Sequence, residues 1–345
     1  MPAIERMIQE KAYELGYEKC GIIPIKLMEG YAEKLNERIQ KVPQSKPFYQ
    51  RQRRLANPLA EYPWAKSIVV MVVPYGKYKV PESVKGHIAK AYLFDVRVDP
   101  NTKEYQQSRA MEQYLQELGF QVATNQKFGL VGLRWAAFQA GLGIIRRNNF
   151  FYTQSGSWVH LEAWLIDREM ELKETPDIPQ CPERCNRCIK ACPTCSLTEP
   201  YTMSPTACIS FLTTFGGRNL PNEPLRKRFG DWIYGCDICQ DVCPMNKGKW
   251  QEVAEFPGLA ELAATLTPEN ILNMDEDFYR EKIQPKFFYL SPDELWKWKV
   301  DVLCFMRNHY TESYKPYIIN ACKNQNEKIR EMASLVYHEL NNSDR

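Results

Sequence analysis

An α/β domain, a small cysteine-rich module and an all-helical end are predicted, in that order, by three features of the chain. Strand-like and helix-like stretches alternate over about residues 1–170. Nine of the 12 cysteines fall between Cys181 and Cys243, and eight of these, all but Cys195, sit in two motifs. From Gly258 onward the apolar pattern is helical, with no strand signal to interrupt it. The divisions that follow are 1–174, 175–250 and 251–345.

The elements are read in chain order. Residues 4–15 form an amphipathic stretch that Gly16 is placed to stop. Residues 20–25 read as a short buried strand. Residues 44–63 hold Arg51, Arg53 and Arg54 among prolines and aromatics and read as an irregular surface segment. Residues 67–75 are apolar and β-branched, the composition of an interior strand. Residues 103–118 are helical, with Gly119 as the C-terminal glycine. Residues 120–123 return as a strand. A helix over 130–139 then runs into Ala140-Gly141-Leu142-Gly143, and 157–166 is a strand apolar on both faces. In the last part, 292–307, 314–323 and 327–340 resemble a HEAT-like helical cap.

Composition narrows the function. The 345 residues carry a net charge of +3, so global charge does not argue for nucleic acid. Hydrophobic residues at 44% suffice for real cores, and 12% aromatics suit a large buried pocket. No apolar run approaches the roughly 20 residues needed to span a bilayer. The first 16 residues lack the shape of a signal peptide. A cytoplasmic location is therefore expected. In that reducing compartment clustered cysteines mean metal or catalysis rather than disulfides. Cys20, Cys195, Cys304 and Cys322 lie outside the motifs and are expected to be ordinary buried thiols.

The remaining eight cysteines carry the chemistry. Cys181, Cys185, Cys188 and Cys192 precede Pro193; Cys208 is followed at a distance by Cys236, Cys239 and Cys243, before Pro244. The bacterial ferredoxin spacing C-x-x-C-x-x-C-x-x-x-C-P gives three thiolates to one 4Fe–4S cluster and the fourth to its neighbour. The first group has one extra residue after Cys181, and the second matches in its last three cysteines. This pattern assigns Cys181, Cys185, Cys188 and Cys243 to one cluster, and Cys192, Cys208, Cys236 and Cys239 to the other. Zinc prefers separated ligand pairs in closed tetrahedra and suits the spacing less well. Two adjacent clusters form an electron wire, which implies a low-potential donor of ferredoxin or flavodoxin type.

Four stretches resemble the epoxyqueuosine reductases. Ala140-Gly141-Leu142-Gly143 with Arg146-Arg147-Asn148 is similar to that family's A-G-L-G-W-I-G-K-N, and Gly156-Ser157-Trp158 to its G-S-W before a strand. The run from Cys188 to Thr194, then Cys208-Ile209-Ser210-Phe211-Leu212-Thr213, resembles the family's C-P-T and C-I-S-Y-L-T. The most specific match is Tyr234-Gly235-Cys236-Asp237-Ile238-Cys239-Gln240-Asp241-Val242-Cys243-Pro244. The resemblance implies a flavin-reductase-like first domain holding base-off cobalamin, with clusters that reduce cobalt to a nucleophilic Co(I). It implies an electrophilic substrate, either the epoxide of epoxyqueuosine in tRNA or a small molecule. Gly141, Gly143, Arg146, Arg147, Asn148, Gly156 and Ser157 are the cofactor-binding residues that the resemblance suggests.

The chain departs from that pattern in its polar segments. The family places a carboxylate, its expected proton donor, about thirteen residues before A-G-L-G. Ungapped counting puts Lys127 there, beside Asn125 and Gln126, and a gap would bring Asp95 closer. Tyr92 and Tyr152 are the other candidate acids. The D-Y-H segment is replaced by Leu93-Phe94-Asp95-Val96. Two functions are consistent with these residues: a cobalamin-dependent reductase, or an iron–sulfur protein that reduces a partner, such as a corrinoid protein, without binding cobalamin. The sequence carries no signal of oligomeric state.

Overall fold

The computed structural model describes residues 3–220 and 222–343. Its first part is built on strands β1 (Lys19–Pro24), β2 (Ser67–Pro74), β3 (Val122–Ala123), β4 (Ile144–Ile145), β5 (Phe151–Tyr152) and β6 (Val159–Ile166). Four of them form one sheet in the order β1-β2-β6-β3, and every pairing is antiparallel. The mixed helix–sheet architecture is as the alternating pattern predicts. Strand direction is not encoded in that pattern, and the sheet has none of the parallel pairs of a doubly wound fold.

The sheet is buried on both sides because each central strand is apolar at successive positions. Ile22, Val69, Met71, Val73, Trp164 and Ile166 face one core, which takes in Ile8 and Ala12 of α1 (Ile4–Leu15). Ile23, Ile68, Val70, Val72, Leu161, Ala163 and Leu165 face the other. That second core is closed by Tyr31 and Leu35 of α2 (Glu29–Lys41) and by Tyr49 of α3 (Lys46–Gln52). Each fully buried aliphatic side chain contributes about 1.5–3 kcal/mol. A one-residue slip between β2 and β6 would turn both faces inside out.

Residues 44–63 differ from the expected irregular surface. Pro47 opens the first turn of α3, where its missing N–H costs nothing. Tyr49 and Leu55 are buried, and Arg54 donates to the carbonyls of Phe128 and Gly129 at 3.1 and 3.2 Å. Burial of the aromatics, not local propensity, makes this stretch helical.

After Gly258 the described residues are helical, ending in Leu295–Asn308, Lys315–Ala321 and Glu327–Ser343. One continuous core runs from α1 through the cysteine-rich stretch into these helices. At its centre the Tyr234 ring stacks on Trp298 with centroids 4.9 Å apart, and the Tyr234 hydroxyl donates to Phe287 O at 3.2 Å. No helix among the described residues is long and apolar enough to cross a membrane. Of the four cysteines outside the motifs, Cys20 and Cys304 are buried and Cys322 is partly so. Cys195 differs: it is exposed, at φ +54° in the turn after Cys192.

Candidate active site

The cysteine-rich stretch folds into short turns and helices that gather sulfurs from distant positions. Arg187–Ala191 packs against Ile238–Asp241, which brings the two motifs side by side. Burial pushes the Cys188 thiol up, and the charges of Cys243 and Cys181 add to the effect. Burial likewise raises Cys236 and Cys239, and the charges of Cys208 and Cys192 raise both further. Cys181, Cys188 and Cys243 are thus neighbours, and so are Cys192, Cys208, Cys236 and Cys239. A buried thiolate needs a cation to hold it ionised, and bound iron supplies that charge. Among the described residues no three His, Cys, Asp or Glu side chains close on a point as around one ion.

The basic residues chosen from the sequence bind this stretch rather than an open pocket. The Arg146 Nη2 donates to Pro179 O at 2.5 Å, and its Nη1 lies 3.8 Å from Cys181 Sγ. Arg147 donates to Cys185 O and Glu183 O at 2.6 and 2.5 Å. The Asn148 amide donates to the Tyr152 hydroxyl at 2.9 Å and to Cys239 O at 3.1 Å. Tyr152 is itself buried beneath the Arg146 guanidinium, 5.0 Å from the ring centroid. Burial raises its phenol and contact with Cys243 raises it further, which sets it beside a cysteine and away from the cleft described below.

The two glycines of the A-G-L-G stretch have structural reasons to be glycine. Gly141 has φ +74°, and a Cβ there would stand 1.7 Å from Glu174 O. A Cβ on Gly143 would stand 2.2 Å from Tyr152 O. Gly156 packs against Asn246, whose Oδ1 would meet its Cβ at 2.4 Å. Next to it, Ser157 N–H donates to Asn246 Oδ1 at 2.9 Å and Ser157 Oγ donates to Gln240 Oε1 at 2.8 Å. The G-S-W turn is therefore fastened to the second cysteine motif.

A cleft of about 1400 Å³ opens beside that motif. Ser157, Cys236, Asp237 and Gln240 form part of its wall, and Tyr92, Lys127 and His160 line it too. Of the sequence-chosen residues, it receives Tyr92, Lys127, Ser157 and Cys236. It does not receive Tyr152, Gly141, Gly143, Arg146, Arg147, Asn148 or Gly156. Lys127 is exposed, with Nζ 5.6 Å from the centroid of Phe288. The Tyr92 hydroxyl shares a hydrogen bond with Ser210 Oγ at 2.9 Å, and burial raises its phenol. Burial lowers His160 to about 4, so its ring is neutral against Tyr75. Asp95 is closed off: Arg97 donates to it through Nε at 2.8 Å and Nη2 at 2.5 Å. Burial alone would push that carboxyl up, but Arg97 overrides it and the net shift is downward.

Sequence reading missed most of the cleft. Arg38 of α2, Phe48 and Arg51 of α3, Arg134, Phe215 and Tyr289 all line it. The Phe48 and Phe215 rings stack with an interplanar angle of 5°. The clue available was charge: Arg51 and Arg54 beside aromatics mark a basic wall rather than a featureless surface.

Comparisons with known proteins agree with this geometry. Residues 180–246 match the family described as a 4Fe-4S double cluster binding domain. An epoxyqueuosine reductase of Cellulophaga algicola is 27% identical over 252 residues, 70% of this chain and 78% of that one. The Bacillus subtilis enzyme is 41% identical over a shorter 120 residues, covering 34% and 29% of the two chains. A crystal structure of epoxyqueuosine reductase with a tRNA-Tyr stem loop superposes with a TM-score of 0.74 at 23% identity, over 96% of this chain and 89% of that one. The chain is a divergent relative of the epoxyqueuosine reductases. Those relatives are oxidoreductases, and the double-cluster match supports two 4Fe–4S clusters here.

Proposed function

We propose that the chain is an iron–sulfur reductase that passes electrons through two 4Fe–4S clusters to an electrophile held in the cleft, with base-off cobalamin as the intervening cofactor. The observation that carries this reading is the position of Cys236, which belongs to one cysteine group and also forms the cleft wall. Cys181, Cys185, Cys188 and Cys243 would hold one cluster, and Cys192, Cys208, Cys236 and Cys239 the other. The division into a cofactor domain (1–174), a cluster module (175–250) and a helical cap (251–345) is part of the same reading.

The cleft suits a large cofactor together with a substrate, since small-molecule sites occupy roughly 300–1,000 Å³. Ser157, His160, Gln240 and Tyr92, beside Cys236, are the residues that would hold cobalamin. When bound, cobalamin supplies a cobalt centre that is reducible at low potential and nucleophilic toward carbon. Removing an epoxide oxygen as water takes two electrons and two protons. Tyr92 is placed to deliver a proton into the cleft, and Lys127 is placed there as a cation toward an anionic substrate group.

Substrate class follows from the wall. Lys34, Arg38, Arg51, Arg54 and Arg134 line it alongside Phe48 and Phe215, which suits phosphate backbone and stacked bases. A tRNA-borne electrophile is the reading this supports; a small anionic electrophile uses the same cations. The cytoplasm is the proposed location, because low-potential clusters require a reducing setting.

Anaerobic reconstitution with iron, sulfide and cobalamin tests the reading. About one corrin per chain, visible in the absorption spectrum, is expected. Clusters that form with no corrin uptake would sink the cobalamin assignment and leave the partner-reducing alternative.

A further inference from the structure

We propose that the exposed face around the Cys181–Cys188 loop docks an acidic one-electron carrier protein and is the entry point for electrons. The inference rests on the two-cluster reading above and adds the partner's surface to it. The two cysteine groups differ in setting. Cys236 and Cys239 stand among buried residues: Tyr234, Asp237 and Gln240 are each about 1% exposed or less. Pro182, Glu183, Arg184, Asn186 and Arg187, which flank Cys185, are all exposed. One cluster site therefore faces the cleft and the other faces outward. Electron transfer weakens steeply with distance, so a donor must bring its own centre against the outward one.

The charge of that face selects the donor. Arg184, Arg187 and Lys190 are exposed, and none has an ion-pair partner among the described residues. Arg147, just behind them and half-buried, is bonded to backbone carbonyls and not to carboxylates, whereas Arg146 is buried and adds nothing to the face. Against these four cations, residues 177–190 offer two acids, Asp177 and Glu183. A face of uncompensated cations beside a redox centre steers an acidic partner and orients it on arrival. The transfer balances without chemistry: the reduced carrier loses one electron, the outward cluster gains it, and no bond or proton moves.

The test uses the reconstituted full-length protein and its triple variant R184E/R187E/K190E. Reduction of the clusters by a reduced acidic flavodoxin is followed by absorbance bleaching over a salt series, with a reduced viologen as small-molecule control. We expect the flavodoxin rate to fall by about tenfold or more and its salt dependence to flatten. Iron content should hold, and bleaching by the viologen should not slow. An unchanged flavodoxin rate and salt slope overturns the proposal. So does an unchanged rate accompanied by lost binding of a tRNA stem loop, which makes this an RNA face. A wild-type protein that takes up no cluster fails the two-cluster reading itself, a different and separable result.

Discussion

Arg146 Nη1 lies 3.8 Å from Cys181 Sγ, and the same guanidinium donates to Pro179 O and covers the Tyr152 ring. One side chain thus fixes the start of the cysteine loop against the strand pair β4–β5. Its Nε is buried without a partner, which leaves the head group committed to the loop. Arg146→Met removes charge-assisted hydrogen bonds worth about 1.5–3 kcal/mol each. The expected result is a protein that folds but retains one cluster poorly, with iron per chain falling from roughly eight toward four. Iron analysis and EPR after identical reconstitution check this; full iron in the variant would show that the loop closes unaided.

The cysteine neighbourhoods predict which substitutions act on the same cluster. Burial raises both thiols most; beyond it Cys188 is raised by Cys243 and Cys181, whereas Cys239 is raised by Cys236, Cys208 and Cys192. Cys188→Ala and Cys239→Ala should each lose about half the iron, and the double variant nearly all of it. Cys236→Ala with Cys239→Ala should lose no more than either alone. If that second pair instead emptied both sites, the grouping of Cys236 and Cys239 in one cluster would be wrong.

Gly141 separates a structural from a cofactor role. With φ +74° and Glu174 O at 1.7 Å from a would-be Cβ, alanine is excluded on two counts. The backbone term alone is about 1–3 kcal/mol, and the clash adds to it. Gly141→Ala should lower the melting temperature markedly, while whatever fraction folds binds cobalamin as before. A stable variant with weakened corrin binding would restore the cofactor role that the sequence suggested.

What was legible in the sequence was what short-range patterns encode. The first helix ends at Gly16 with φ +100°, as a stop glycine should. The buried strands appear because β2 and β6 are apolar at nearly every position. The cysteine spacing announces clusters because ligand geometry is local. The antiparallel order of the sheet, the helical α3 and the cleft wall are long-range outcomes. Phe48 meets Phe211 and Phe215, and Arg97 reaches Tyr289, across separations that periodicity does not register. Arg146 and Gly141, read from a motif as cofactor residues, make close contacts with the protein that the motif did not announce.

Glu162 gives the fold a pH dependence. It sits in the middle of β6 at 1% exposure and accepts from the Tyr17 hydroxyl at 2.8 Å. Burial pushes it up to about 7, with Asp95 adding to the rise and Tyr17, Ser108 and Arg97 opposing it. Its folded value lies above its unfolded value, so its contribution is full below about 4.5 and is lost as pH rises through 7. The loss is about 3 kcal/mol by pH 8. His160 acts in the opposite sense, losing its contribution as pH falls from 6.5 through about 4. Glu162→Gln keeps an acceptor for Tyr17 and removes the charge. In urea unfolding, its advantage over wild type should grow from pH 5 to pH 8; parallel stability curves would refute the shift.

Lys127 decides how far the relationship to epoxyqueuosine reductases extends to their reaction. It lies in the cleft near Phe288, and its carbonyl accepts from Arg97 Nη1 at 3.4 Å. A lysine offers three donors and no acceptor, so it binds anions where a carboxyl would deliver a proton through a compact acid. Asp95 does not replace that carboxyl, because Arg97 holds it ionised and closed in. The chain is therefore expected to leave queuosine absent from the tRNA of a strain lacking epoxyqueuosine reductase, while both clusters assemble. Lys127→Asp should raise queuosine formation, by up to the 10²–10⁴-fold that a positioned general acid typically supplies. Full restoration by the wild-type chain would show instead that Lys127 or Tyr92 serves as proton source. If neither form restores queuosine and corrin binding is intact, the cleft acts on a different anionic electrophile, and Lys127→Ala should then weaken that substrate's binding more than it slows turnover.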